Sequence, residues 1–475
     1  MPSSLAKTTA IGVLLYQLVG CTVGPDYQAP ESILSASLAG GVTPELPKRA
    51  PAPPLEEWWR GFADPVLNGI VQRALEQNLD VSIALARVEQ ARAAANLAGA
   101  ARLPEGSLDG RYLHQRQSLK SPEGQLASAS PGFDRNQDIL SLGVGASWEI
   151  DLAGGLKRNE EAALAELQAA EASRAGVRIS IAADAADAYF RIRGAQRRIE
   201  VAEEQIQTQE DLLNLVQDRF NGGLATQREL AQAKALLLQA RTTPPPLRTE
   251  LAVQLNRLDV LLGVQPGTYG KVLLAHPQGY QVPAVAADLS PANLLRRRPD
   301  VIAAERRLAA STARIGVAVA EYYPQVTLGG ILGSQSLHGG LFSGDAFQPQ
   351  AFIGLHWRLF DFGRVDAEVE QARGTEAQAL AEYRQAMLRA AEDVENAVTT
   401  QVHLSAQRQE LDAEIEAHRA AREAAQQAYQ GGAVSLREVL DEDQQLLEAR
   451  DQQALLAAND ARAAVATFRA LGGGW

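Results

Sequence analysis

From residue 140 onward, Leu140, Leu142, Val144, Ala146, Trp148 and Ile150 alternate with Ser141, Gly143, Gly145, Ser147 and Glu149. A period of two predicts a strand with one apolar face and one small or polar face. Ala351, Ile353, Leu355, Trp357 and Leu359 alternate likewise with Phe352, Gly354, His356 and Arg358. Val326, Leu328 and Leu332 mark a weaker third strand, and 108–117 a poor fourth. Between 157 and 220 there is no Pro and only Gly176 and Gly194, which allows a helix of about 64 residues, roughly 95 Å long. Its lower half repeats Ile192, Ile199, Ile206, Leu213 and Phe220 every seventh residue, a coiled-coil seam. The run 366–429 is Ala-rich and places Leu404, Leu411, His418 and Ala425 at the same interval. Both runs end at Gly-Gly, with Thr226 or Ser435 next in line as N-cap of a returning helix. Pro244-Pro245-Pro246 interrupts the first returning helix, and nothing interrupts the second before Leu471.

These segments occur twice. Residues 148–263 match 357–472 at a constant offset of 209, pairing Trp148 with Trp357, Gly154 with Gly363, Gly222-Gly223 with Gly431-Gly432, Arg228-Glu229 with Arg437-Glu438, and Leu262-Gly263 with Leu471-Gly472. At an offset of 220, Asp80-Val81 matches Asp300-Val301, Arg87 Arg307, Pro104 Pro324 and Gly110 Gly330. A repeat on this scale decides the fold reading. The expected plan is a signal peptide 1–20 and an extended segment 21–55 around a belt outside the helices. A first copy 56–263 follows, with hairpin 105–150, long helix 156–220 and returning helix 226–262. After a linker 264–290 comes a second copy 291–475, with hairpin 325–360, long helix 365–430 and returning helix 435–471.

Alternating runs of about 10 residues fit transmembrane β-strands. A soluble sandwich would show turns every 8–12 residues and more strands. Four strands cannot close a barrel, since an open edge in lipid leaves backbone groups unpaired and the smallest membrane barrels have about eight strands. The chain is therefore expected to pool strands with copies of itself. The Gly-, Ser- and Pro-rich hairpin tips, 119–135 and 336–348, would be loops outside the cell.

Composition alone points elsewhere. The 475 residues are 46% hydrophobic and 21% charged with net charge −12 and mean hydropathy −0.16, a soluble profile long enough for about three domains. The acidic excess argues against nucleic-acid binding, and the single cysteine excludes a disulfide scaffold. The position of that cysteine changes the picture. Lys7 and an apolar stretch to Val19 form a signal peptide, and Leu18-Val19-Gly20-Cys21 resembles the bacterial lipobox, in which the Cys is lipidated and becomes the N-terminus. Thr22 rather than Asp follows it, which in this class points to the outer membrane. Cleavage would remove Lys7 alone among charged residues and leave a net charge of −13.

Catalysis has little footing. His114, His276, His338, His356, His403 and His418 lack metal-ligand spacing, and no phosphate loop or nucleophile elbow occurs. No enzyme, cofactor or metal is expected; Asp and Glu lie on coiled-coil faces, where they solvate. A lipid-anchored periplasmic coiled-coil spacer without a pore would account for the helices and Cys21. It leaves unexplained the alternating strands and the aromatic Tyr322, Tyr323, Phe360 and Phe362 beside them, residues that a membrane interface selects.

Several strings resemble a known family: Cys21-Thr22-Val23-Gly24-Pro25-Asp26-Tyr27; Trp58-Trp59 with Phe62, Asp64-Pro65 and Asn78; Leu294-Leu295-Arg296-Arg297-Arg298-Pro299-Asp300-Val301 with Ala304-Glu305-Arg306-Arg307; Tyr322-Tyr323-Pro324; and Leu471-Gly472-Gly473-Gly474-Trp475. On these, spread over essentially the whole mature chain, the sequence resembles the outer membrane factor family of TolC- and OprM-like channels, in its NodT-type lipoprotein branch serving RND-type tripartite efflux pumps. The resemblance implies an α+β membrane protein, a homotrimer pooling four strands per protomer into a twelve-stranded β-barrel in the outer membrane. A long α-helical coiled-coil barrel would continue it through the periplasm, with a mixed equatorial domain. The implied partners are a periplasmic adaptor at the helix tips, here Gly222, Gly223 and Leu224 with Gly432, Ala433 and Val434, and an inner-membrane RND-type transporter.

In related channels the closed tip holds an Asp on the inner returning helix within Leu-Leu-Asp-Ala-Gln. Val439-Leu440-Asp441-Glu442-Asp443 matches that setting, so Asp441 carries over as a pore constriction residue. Three such carboxylates around a pore would favour cation binding or protonation. The chain departs from the pattern at Arg437, in place of an apolar gate residue one turn earlier, and at Gln444, in place of a basic residue three beyond. Arg437 is placed to pair with Asp441 within or between protomers.

Overall fold

The computed structural model of the chain describes residues 22–31, 54–270, 273, 280–283, 297–337 and 339–474. The expected signal peptide, Cys21, most of the segment 21–55, part of the linker 264–290, Leu294-Leu295-Arg296 and Trp475 lie outside the described residues. Two compact units are formed: one from 22–30, 88–169 and 304–383, the other chiefly from 54–87, 170–303 and 384–474. In chain order the helices are α1 (Pro65–Gln77), α2 (Leu79–Ala100), α3 (Pro122–Ser128), α4 (Gly155–Asn221), α5 (Gln227–Ala240), α6 (Pro244–Leu261), α7 (Pro299–Ala320), α8 (Arg364–Gln430) and α9 (Leu436–Ala470). Among the described residues no helix is long and apolar enough to cross a membrane.

The first unit holds one antiparallel sheet of β1 (Glu105–Arg116), β2 (Asn136–Ile150), β3 (Gln325–Ser336) and β4 (Phe347–His356), in that order. β2 joins the two hairpins, pairing Leu140 with Ser336 at one end and Ile150 with Val326 at the other. Opposed residues share a face. The register therefore gathers Leu108, Tyr112, Leu140, Leu142, Val144, Trp148, Ile150, Val326, Leu328, Leu332, Ile353 and Leu355 on one side. Asp109, Arg111, Ser141, Gly143, Gly145, Ser147, Thr327, Gln335, Gln348 and Gln350 share the other, with Leu113, Ile139, Ile331 and Phe352 as its apolar exceptions. The apolar face is uncovered among the described residues, Ile353 being 77% exposed.

Pro104 and Pro324 precede β1 and β3, where a residue without an N–H ends the ladder. That is why β4 stops earlier than its alternation suggests: His356 pairs with Gln325, so Trp357 and Leu359 meet no strand partner. β4 instead begins at Phe347 and runs through Pro349, which a strand with a neighbour on one side tolerates. Each hairpin is closed by an indole: Trp148 Nε1 donates to Arg102 O and Trp357 Nε1 to Tyr322 O, both at 2.9 Å.

Residues 22–30 pack in the same unit. Val23 N donates to Ala153 O at 3.0 Å. The buried Arg158 donates to Val23 O at 3.0 Å, Gly24 O at 3.3 Å and Asp26 Oδ1 at 2.7 Å. Tyr27 donates to Glu305 at 3.1 Å beneath the Arg306 guanidinium, 5.6 Å from its ring. The 22–27 string is thus a docking sequence, and Thr22 sits against Gly154 at the elbow between β2 and α4.

The second unit is helical. Trp58, Phe62, Tyr189, Phe190 and Phe468 are fully buried at its centre, with Trp58 stacked on Phe468 at 5.5 Å and Phe62 4.8 Å from Phe190. Asp64, 0% exposed, caps α1 by accepting from Val66 N at 2.8 Å and Leu67 N at 3.2 Å. It also accepts from the Tyr189 hydroxyl, which itself accepts from Arg193 Nε at 2.9 Å. Asn78 donates to Leu261 O and accepts from Asp80 N.

α4 and α8 are 67 residues each, about 100 Å at 1.5 Å per residue. On α4 the heptad seam read from sequence is half the contact. Ile192 is fully buried, but Ile199, Ile206, Leu213 and Phe220 are only half-buried, whereas Ala195, Ala202, Gln209 and Val216, three residues after each of the first four, are buried. Two alanines there let a neighbouring helix approach closely, and neither registers as a hydrophobic knob.

Candidate functional site

Both long helices stop in the same way. At the end of α4, Gly223 N donates to Phe220 O at 3.0 Å and Leu224 N to Arg219 O at 2.7 Å; at the end of α8, Gly432 N donates to Tyr429 O at 3.0 Å and Ala433 N to Ala428 O at 2.8 Å. This paired 5→2 and 6→1 closure needs a left-handed residue, and Gly223 and Gly432 both have φ +74. A Cβ at either would meet open space. Gly432→Ala is therefore expected to cost only the left-handed penalty, about 1–2 kcal/mol, read by urea unfolding; a loss well above that would mean the glycine is packed against something.

The returning helices start on acid-capped turns. Glu229 N donates to Thr226 Oγ1 at 3.2 Å while the Glu229 carboxylate accepts from Thr226 N at 2.6 Å, a capping box. Those Thr226 donors hold the Glu229 carboxyl below its ordinary range. The Glu438 carboxylate likewise accepts from Ser435 N at 3.3 Å and Ser435 Oγ at 3.2 Å. The two tips are pinned together by Arg219, which donates to Tyr429 O at 3.2 Å and lies 4.6 Å from the Tyr429 ring centre. Leu212, Val216, Ala233, Tyr429, Leu436 and Val439 form the apolar cluster behind them, with Val434 packed against it. Leu224 and Ala433 remain exposed.

On α9, Arg437, Asp441, Gln444 and Glu448 follow at helical spacing on one exposed face. Arg437 Nε lies 3.7 Å from Asp441 Oδ2, the two side chains 84% and 67% exposed, and Gln444 Nε2 donates to Glu448 Oε1 at 2.9 Å. An exposed i, i+4 pair of this kind contributes about 0.3–0.5 kcal/mol, so both ends stay available to solvent. The opposite face carries Leu436, Val439 and Asp443, all buried. Asp443, Arg422 and the Arg219–Tyr429 pair were not singled out by sequence reasoning. Asp443 stands in a run of three acids that reads as one solvated face, and only the packing of α9 separates it from Asp441.

Over residues 70–264 and 291–473 the chain matches the family model described as outer membrane efflux protein. It is 34% identical to the pyoverdine export outer membrane protein OpmQ of Pseudomonas putida, covering 94% of each chain. It is 30% identical to nodulation protein T of Rhizobium leguminosarum bv. trifolii over 90% of this chain and 89% of that one. Among solved structures the outer-membrane channel OprN superimposes with a TM-score of 0.84 at 32% identity, covering 96% of this chain and all of the other.

Proposed function

The chain belongs to the outer membrane efflux protein family, and on that premise we propose that it is the gated exit duct of a tripartite efflux pump. It is an outer-membrane efflux component, not an enzyme. The observation that carries the reading is the register of the sheet: an uncovered apolar face, a polar opposite face, and two outer edges without a partner among the described residues. Such a sheet is stable in lipid only if its edges pair. Three copies, four strands each, would close a twelve-stranded barrel with the apolar face toward lipid, and the sequence duplication supplies the two hairpins of each protomer.

The long helices then form a coiled-coil barrel in the periplasm. The tips at Gly222, Gly223, Leu224, Gly432, Ala433 and Val434 take the adaptor that links the duct to an RND-type transporter. Arg437, Asp441 and Gln444 line the constriction. Cys21 carries the lipid, a reading supported by the docking of the next residues, Thr22 and Val23, at the β2–α4 elbow.

Purified trimer in a planar bilayer is expected to conduct ions passively, and Asp441→Ala to raise the conductance. A trimer that stays silent with and without that substitution would replace the channel by an anchored coiled-coil spacer.

A further inference from the structure

Next to the apolar cluster behind the tips, the α8–α9 hairpin is crossed by a charge pair with a buried carboxylate. Arg422 of α8 donates from Nε to Asp443 Oδ1 of α9 at 2.8 Å, and Asp443 is 4% exposed. One turn nearer the tip, Leu436 and Val439 of α9 are buried with Leu212 and Val216 of α4. The neighbouring crossing is also polar: His418 Nδ1 lies 3.2 Å from Glu442 Oε2, and its Nε2 3.9 Å from Glu414 Oε1. The α4–α5 hairpin offers a comparison within the same molecule. At the offset of 209, Arg422 corresponds to Leu213 and Glu442 to Ala233, both in the apolar cluster, and Asp443 to Lys234, which is exposed. The second hairpin pairs a part-buried Arg422 with a buried Asp443 where the first has the apolar Leu213 and an exposed Lys234.

A buried ion pair is a weak fastener, because desolvating both ions offsets their attraction. Replacing the pair by apolar side chains often tightens the packing, whereas deleting one partner strands a buried charge. Burial wins at this site: it pushes the Asp443 carboxyl above the usual carboxylate range, against the opposing charge and hydrogen bond of Arg422. Arg422 is the charged group facing it from α8. On α4 the buried residue one turn farther from the tip than Leu212 is the uncharged Gln209.

We infer that the Arg422–Asp443 crossing is a release point in the α8–α9 hairpin, poised to part while the carboxylate is ionised and tightened when it is protonated. A carboxyl whose pKa is higher when packed than when solvated binds more protons in the packed state. Acid therefore favours packing, and raising the pH through the packed-state pKa favours opening. The consequence for gating rests on the channel reading above: the tip would conduct more as pH rises.

Hydrogen exchange on the purified full-length protein tests this directly. Corrected for intrinsic rates, amides of 436–446 are expected to exchange faster at about pH 8 than at about pH 4, relative to those of 227–237 in α5. The change should be about tenfold for each unit separating the packed and opened pKa values. Asp443→Asn should flatten that dependence. The double variant Arg422→Met with Asp443→Leu, which replaces the pair by hydrocarbon, should exchange more slowly than wild type at neutral pH. Arg422→Met alone should exchange faster. Wild-type exchange in 436–446 that ignores pH, or a folded double variant exchanging as fast as wild type, overturns the inference. Bilayer conductance of the same samples separates the two readings. Conductance with pH-independent exchange removes the release point and keeps the channel; pH-dependent exchange without conductance does the reverse.

Discussion

Asp64→Ala should lower the stability of the helical unit by about 3–5 kcal/mol, the sum of a lost helix cap and of buried donors left without an acceptor. The side chain is fully buried and accepts from two backbone N–H groups and the Tyr189 hydroxyl. Without it, Val66 N, Leu67 N and Tyr189 Oη lose their acceptor together, and Arg193 is left bonding a hydroxyl whose own proton has no acceptor. Asp64→Asn should recover part of the loss, because an amide oxygen can still cap α1 while its NH2 cannot accept from Tyr189. Urea unfolding followed by tryptophan fluorescence reads this well, since Trp58 and Trp59 pack in the adjoining aromatic cluster. A loss below about 1 kcal/mol would reduce Asp64 to an ordinary cap.

Gly24→Val is expected to undock the segment 22–31 altogether. Gly24 has φ +84, and a Cβ there would land on the Gly316 backbone of α7. The substitution adds a left-handed penalty of about 1–2 kcal/mol to that overlap, and it pulls three oxygens, Val23 O, Gly24 O and Asp26 Oδ1, away from Arg158. Hydrogen bonds from a charged donor contribute about 1.5–3 kcal/mol each, so docking does not survive. The expected signature is rapid exchange of the Val23 amide and new protease cleavage within 22–31, with the strands unchanged. Protection equal to wild type would mean that the segment is held from elsewhere.

Much of this architecture was legible because it depends on periodicity and on punctuation. The alternation of 140–150 gave both the strand and its face, and the Gly-Gly pairs marked the helix ends because the closing hydrogen bonds demand φ > 0. What stayed hidden depends on partners. The close seam of α4 rests on Ala195 and Ala202, whose burial is set by the neighbouring helix. The end of β4 is decided by Pro324 on another strand, so its own alternation overran. The candidate gate was half legible: Arg437 and Asp441 stand out by position and charge, while the burial of Asp443 two residues later follows only from how α9 packs.

The pairing of β2 with β3 also constrains when the sheet can exist. Ile150 and Val326 come from opposite halves of the chain, with α4, α5, α6 and α7 between them. The closure is long-range, and contacts so distant in sequence form late. The first hairpin leaves the ribosome with one edge of β2 waiting for a strand not yet synthesised, and a two-stranded hairpin is marginal alone in water. Completion of the sheet is thereby deferred until the second half of the chain arrives, which makes the unpaired first hairpin the aggregation-prone stage of folding.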